Sequence, residues 1–90
     1  MEELPKPESI RARGGVWFAA GAQELHVGVE EPFGPARKAH PGLVVDGLGE
    51  LCDRLSMAGF APQPDDSIAG VARLFVHDPF GNRLEIRQSE

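Results

Sequence analysis

Apolar and polar residues alternate most cleanly in two stretches. Between Glu24 and Glu30, Leu25, Val27 and Val29 fall on one side of an extended backbone, and Glu24, His26 and Glu30 on the other, because successive strand side chains point to opposite faces. The same period governs the end of the chain. There Leu74, Val76, Leu84 and Ile86 share one face, while Arg73, Phe75, His77, Glu85 and Arg87 share the other. Between these two runs lies Asp78-Pro79-Phe80-Gly81-Asn82. Pro fixes φ, Gly supplies positive φ, and Asp and Asn bond their own backbone. The last stretch therefore predicts a β-hairpin with Glu85 in its second strand. A different period appears after His40–Asp46, itself a short apolar strand. Leu48, Leu51, Cys52 and Leu55 recur at helical spacing. Asp46 is the expected N-cap, Glu50 and Arg54 pair at i,i+4, and Gly59 is the C-terminal stop.

The remaining segments read less regularly. Residues 1–9 are polar and broken by Pro5 and Pro7, as in an edge strand or a loose arm. Ile10 to Ala20 is expected as one strand with a bulge at Gly14-Gly15, followed by a turn at Gly21-Ala22-Gln23. Residues 31–39 form a Pro- and Gly-containing loop with Arg37-Lys38, and Phe60 to Ile68 is irregular or edge-like. The order is βββ followed by βαβββ, an α+β domain with one helix on one face of a sheet. The helix stripe needs Leu74, Val76, Leu84 and Ile86. Leu25, Val27 and Val29 also call for a cover, yet no helix precedes them. The opposite face, lined by His, Glu, Arg and Phe, is the expected ligand side.

Composition narrows the function. Ninety residues make one small domain. A net charge of −5 leaves no basic stripe for nucleic-acid phosphates. The single cysteine, Cys52, excludes an internal disulfide and a Cys-rich zinc site, and fits a reducing cytoplasm. No apolar run approaches the roughly 18 residues of a membrane span, and the N-terminus carries no secretory pattern. A cytoplasmic protein that engages neither membrane nor nucleic acid is expected.

The stretch His40-Pro-Gly-Leu-Val-Val-Asp46, a helix ending at Gly59-Phe60, and Phe75-Val-His-Asp-Pro-Phe-Gly-Asn-Arg-Leu-Glu85 together resemble the second βαβββ module of the vicinal oxygen chelate superfamily. That superfamily includes glyoxalase I, extradiol dioxygenases and the fosfomycin- and bleomycin-resistance proteins. The resemblance spans roughly residues 4 to 88, with a first module (1–31) lacking its opening strand and helix, a linker (32–39) and a complete second module (40–90). It implies a divalent metal (Fe, Mn, Ni or Zn) held by His40, Glu85 and His26, with Glu24 as the alternative to His26. Glu85 would be the catalytic carboxylate, and the metal a Lewis acid on vicinal oxygens of a small molecule. It implies either a lyase, isomerase or dioxygenase, or a non-catalytic drug-binding protein, or an inactive truncated homologue. Trp17, Phe18 and Phe75 would stack on a flat ligand. Arg73 and Arg87 would either neutralise Glu85 or hold a ligand carboxylate. The uncovered Leu25/Val27/Val29 face implies a homodimer.

Overall fold

The computed structural model describes residues 1–90, and its chain divides into two units, Met1–Gly34 and Pro35–Glu90. In the first unit, β1 (Glu3–Leu4), β2 (Val16–Ala20) and β3 (Gln23–Val27) form an antiparallel sheet in that order. The hairpin loop between β2 and β3 has two residues, and its first, Gly21, takes φ +62°, the positive φ such tight loops require. The single strand expected from Ile10 is not formed. Pro7 precedes a one-turn helix, α1 (Glu8–Arg11), and Gly14 and Gly15 adopt positive φ before β2 begins. Gly15 has no room for a side chain, since a Cβ there would sit 2.3 Å from the Val27 carbonyl oxygen. The glycine pair therefore ends the helical turn and lets the backbone come against β3, where a bulged strand was expected. β3 also stops at Val27, short of Glu30.

The second unit is β4 (Gly42–Val45), α2 (Leu48–Met57), β5 (Gln63–Asp65), β6 (Arg73–His77) and β7 (Arg83–Gln88), with sheet order β4-β7-β6-β5. β4 runs parallel to β7, and the other pairs are antiparallel. The α+β reading holds, with a βββ unit followed by a complete βαβββ unit. The alternation in the last hairpin sets the layers. Leu74, Val76 and Ile86 are buried, and Val45, Leu48, Leu51, Cys52, Leu55, Phe60 and Leu84 pack on them. Leu74, 1% exposed, is the centre of this core. β5 occupies the sheet edge, where Pro64 costs no ladder hydrogen bond on its outer side.

The two ends of α2 are closed differently. At the C-terminus, Gly59 takes φ +91°, its N–H donates to Ser56, and the Phe60 N–H donates to Leu55. These two bonds form a Schellman cap, satisfying carbonyls the helix leaves open. At the N-terminus the cap is Gly47 in the left-handed region, not Asp46. The orphan Leu48 N–H donates 2.8 Å to the Gln88 side-chain oxygen, and Asp46 instead accepts from the Ser89 hydroxyl. The cap comes from 40 residues away, so no local pattern announces it.

Candidate functional site

The Asp78 turn places the second strand of the hairpin. The Asp78 carboxylate accepts from the Phe80 N–H at 2.9 Å, the Asn82 N–H at 2.8 Å and the Asn82 side chain at 2.7 Å. Burial pushes the Asp78 carboxyl up, but these bonds outweigh it and hold the group below its ordinary range. The turn sets the register Val76↔Leu84, Phe75↔Glu85 and Arg73↔Arg87. Glu85 then lies on the face opposite the core, between Phe75 on β6 and Gly42 on β4. Its N–H donates 3.0 Å to the Pro41 carbonyl. That bond anchors the entry to β4 beside β7, so His40 arrives next to Glu85.

Glu85 is only 7% exposed and is the one buried charged residue of the chain. Arg87 Nε donates to Oε2 at 2.5 Å, His40 Nε2 lies 3.0 Å from Oε1, and Arg73 Nη1 lies 3.4 Å from Oε1. The Arg87 hydrogen bond and then the His40 contact pull the carboxyl down to about 2, against the opposing effect of burial and with further help from the charges of Arg87 and Arg73.

The tautomer of His40 follows from its other nitrogen. Nδ1 lies 2.7 Å from the Lys38 carbonyl. A carbonyl only accepts, so Nδ1 carries the proton. In a neutral ring Nε2 then presents its lone pair, and it faces the acceptor Oε1 of Glu85. Two acceptors 3.0 Å apart are reconciled by a second ring proton or by a cation that both atoms bind. A ring N–H fixed by a backbone carbonyl, with the other nitrogen left free, is the arrangement found in metal-ligating histidines. His40 Nε2 and Glu85 Oε1 thus fit as two ligands of a divalent metal.

Arg73 is fully engaged. It bonds Asp65 through Nε at 3.2 Å and Nη2 at 3.1 Å, and Ser67 through Nη2 at 3.1 Å, besides Glu85. The Ser67 hydroxyl and N–H, then Arg73, hold the Asp65 carboxyl below its ordinary range. In the structure Arg73 is paired with both Glu85 and Asp65. Phe75 meets His40 edge-on at 5.6 Å and lies under the Arg73 and Arg83 guanidiniums at 4.9 and 4.1 Å. Asp65 and Arg83 did not stand out in the sequence. Arg83 was legible from parity with Glu85; Asp65 was not, because its strand has no alternating pattern.

His26 and Trp17 belong to the first unit. They are cross-strand partners, with rings stacked at 3.6 Å and 1° between planes. His26 Nε2 lies 2.9 Å from the Glu24 carboxylate, and both side chains are about half exposed. Neither unit gathers three His, Cys, Asp or Glu side chains as a metal centre. Of the expected ligand set, the structure brings His40 and Glu85 together. His26 keeps Glu24 and Trp17 as its partners. A cavity of ≈ 450 Å³ lies on the helix side of the second sheet against Leu48, Cys52, Pro64 and Leu74, and neither Glu85 nor His40 lines it.

Comparison with solved structures places this architecture. A protein from Bacillus anthracis described as a glyoxalase family protein is similar at 44% identity and a TM-score of 0.93, over all of this chain and 74% of that one. This chain belongs to the glyoxalase family, within the vicinal oxygen chelate superfamily. The lactoylglutathione lyase from Agrobacterium tumefaciens shares the fold at 18% identity and a TM-score of 0.71, over 98% of this chain and 75% of that one. No family profile matches the sequence, and no curated protein does. The glyoxalase-family chain thus spans about three quarters of these two structures. None of its helices is long and apolar enough to cross a membrane.

Proposed function

We propose that this glyoxalase-family protein works with a divalent metal (Fe, Mn, Ni or Zn) held by His40 and Glu85, on a small molecule bearing vicinal oxygens, in a lyase, isomerase or dioxygenase type of reaction. The observation supporting this reading is the 3.0 Å approach of His40 Nε2 to Glu85 Oε1, with Nδ1 held on the Lys38 carbonyl. When bound, the metal supplies Lewis-acid polarisation of two neighbouring substrate oxygens. The chain's own residues prepare the site. The Lys38 carbonyl holds the His40 tautomer. Arg87 orients the Glu85 carboxylate and keeps it ionised. The edge contact of Phe75 shields the imidazole on one side.

Metal analysis of protein purified without chelators, followed by titration with Zn²⁺, tests the reading. Uptake well short of stoichiometric would sink it. A second reading is favoured by one observation: Arg87 and Arg73 already neutralise Glu85. On that reading the protein binds its small molecule without metal and without turnover, and metal-free protein keeps full ligand affinity.

The proposal extends to a cytoplasmic homodimer. Val27 and Val29 are 43% and 63% exposed, and the first unit has no helix beyond the four residues of α1. A second copy is the cover proposed for this apolar face.

A further inference from the structure

β7 presents Arg83, Glu85 and Arg87 in alternation on the face away from the core. Two of the three arginines on this face are committed to acids: Arg87 to Glu85, and Arg73 to Glu85 and Asp65. Arg83 is not. It makes no ion pair and no side-chain hydrogen bond, and its guanidinium rests 4.1 Å from the Phe75 ring centroid. A guanidinium carries five N–H donors in a planar fork that matches a carboxylate. Held over an aromatic face, it keeps those donors free while losing conformational freedom in advance. The face also carries three cations (Arg73, Arg83, Arg87) against two carboxylates (Asp65, Glu85), on a chain whose net charge is −5. Local charge thus favours an anion where the whole chain repels one.

We infer that Arg83 is the seat for an anionic group of the ligand, so that the ligand class is a small molecule with vicinal oxygens at one end and a carboxylate at the other. Alternate residues of a strand are roughly 6.6–6.8 Å apart. The carboxylate therefore lies about one such step from the oxygens that reach His40 and Glu85. The vicinal-oxygen end of this inference rests on the function proposed above; the Arg83 seat itself does not need the metal.

The test compares catechol with protocatechuate, which adds one carboxylate across the ring from the oxygens. Both are titrated calorimetrically into the protein with and without Zn²⁺. Protocatechuate is expected to bind about tenfold more tightly, the scale of one charge-assisted hydrogen-bonded contact. Arg83→Gln should abolish that advantage and leave catechol unchanged. Arg83→Lys should keep part of it, and Arg54→Gln, on the exposed side of α2, should keep all of it. Circular dichroism of each variant guards against misfolding. Equal binding of the two compounds, a preference that survives Arg83→Gln, or no binding of either overturns the inference. A preference that depends on Arg83 but not on Zn²⁺ upholds the seat and removes the metal reading. Zinc-dependent binding with no preference removes the seat alone.

Discussion

His40 Nε2 stands 3.0 Å from Glu85 Oε1, across 45 residues of sequence. The contact exists because β4 lies parallel to β7 and the Pro41 carbonyl accepts the Glu85 N–H. With Nδ1 turned to the Lys38 carbonyl, this pair is where added cations should go. His40→Ala and Glu85→Gln are each expected to weaken Zn²⁺ binding by about tenfold or more, about 1.4 kcal/mol. Competition titration against a chromogenic chelator measures it. Unchanged affinity in both variants would remove the pair as the metal site.

Acid should act on the same carboxylate. The folded state holds the Glu85 carboxyl at about 2, below its ordinary 4.5, through the Arg87 and His40 contacts. A depressed carboxyl stabilises the fold above its unfolded value and loses that contribution as pH falls through the folded one. Stability should therefore decline between about pH 4.5 and about pH 2. Asp65 and Asp78, also depressed, act in the same direction. The urea midpoint of Glu85→Gln, followed over this range, should fall less steeply than that of the wild type. Parallel curves would mean that Glu85 is not held in its ionised form.

Asp78→Ala removes the acceptor of three hydrogen bonds in the hairpin turn. Leaving such donors without their partner typically costs about 1–3 kcal/mol. The variant should unfold at correspondingly lower urea and also bind Zn²⁺ more weakly, because the turn sets the register that places Glu85. Loss of stability with intact metal binding would separate the turn from the site.

Leu74→Ala should be the most damaging apolar truncation. Leu74 is 1% exposed in a core with only three buried hydrophobic residues. Such truncations cost about 2–5 kcal/mol, against a total of about 5–15 for a typical domain. Thermal unfolding should show a large drop for Leu74→Ala and almost none for Met57→Ala, whose side chain is 89% exposed.

Association is expected through the apolar side of the first sheet, where Val27 sits opposite Val16 and Leu25 opposite Phe18. Val27→Glu places a charge in that surface. Sedimentation should show the wild type as a dimer at micromolar concentration and the variant as a monomer. A monomeric wild type would end the dimer proposal.

Much of this was legible in the letters. The two-residue period of Leu74, Val76, Leu84 and Ile86 names the buried face, and the parity of Glu85 names the other. Leu48, Leu51, Cys52 and Leu55 name the helix stripe, and Gly59 its end. Where reading failed, a distant or backbone partner had taken over. Gln88 caps α2 in place of Asp46. The segment expected as a strand from Ile10 begins in the helical turn α1, and the glycine pair at 14 and 15 separates that turn from β2. Asp65 enters the site through an edge strand with no periodicity of its own.

The sequence by itself determined which side chains share a face, because period and turn chemistry are local properties of the backbone. It also marked the family, through the Asp-Pro-Phe-Gly-Asn turn before Leu84-Glu85. Only the tertiary structure decided what those side chains do. Parallel pairing of β4 with β7 brought His40 to Glu85, the Lys38 carbonyl took Nδ1 and turned Nε2 towards the carboxylate, and Asp65 and Glu85 occupied Arg73 while leaving Arg83 without an acid. Each depends on distance and orientation between residues far apart in the chain, which no local pattern encodes.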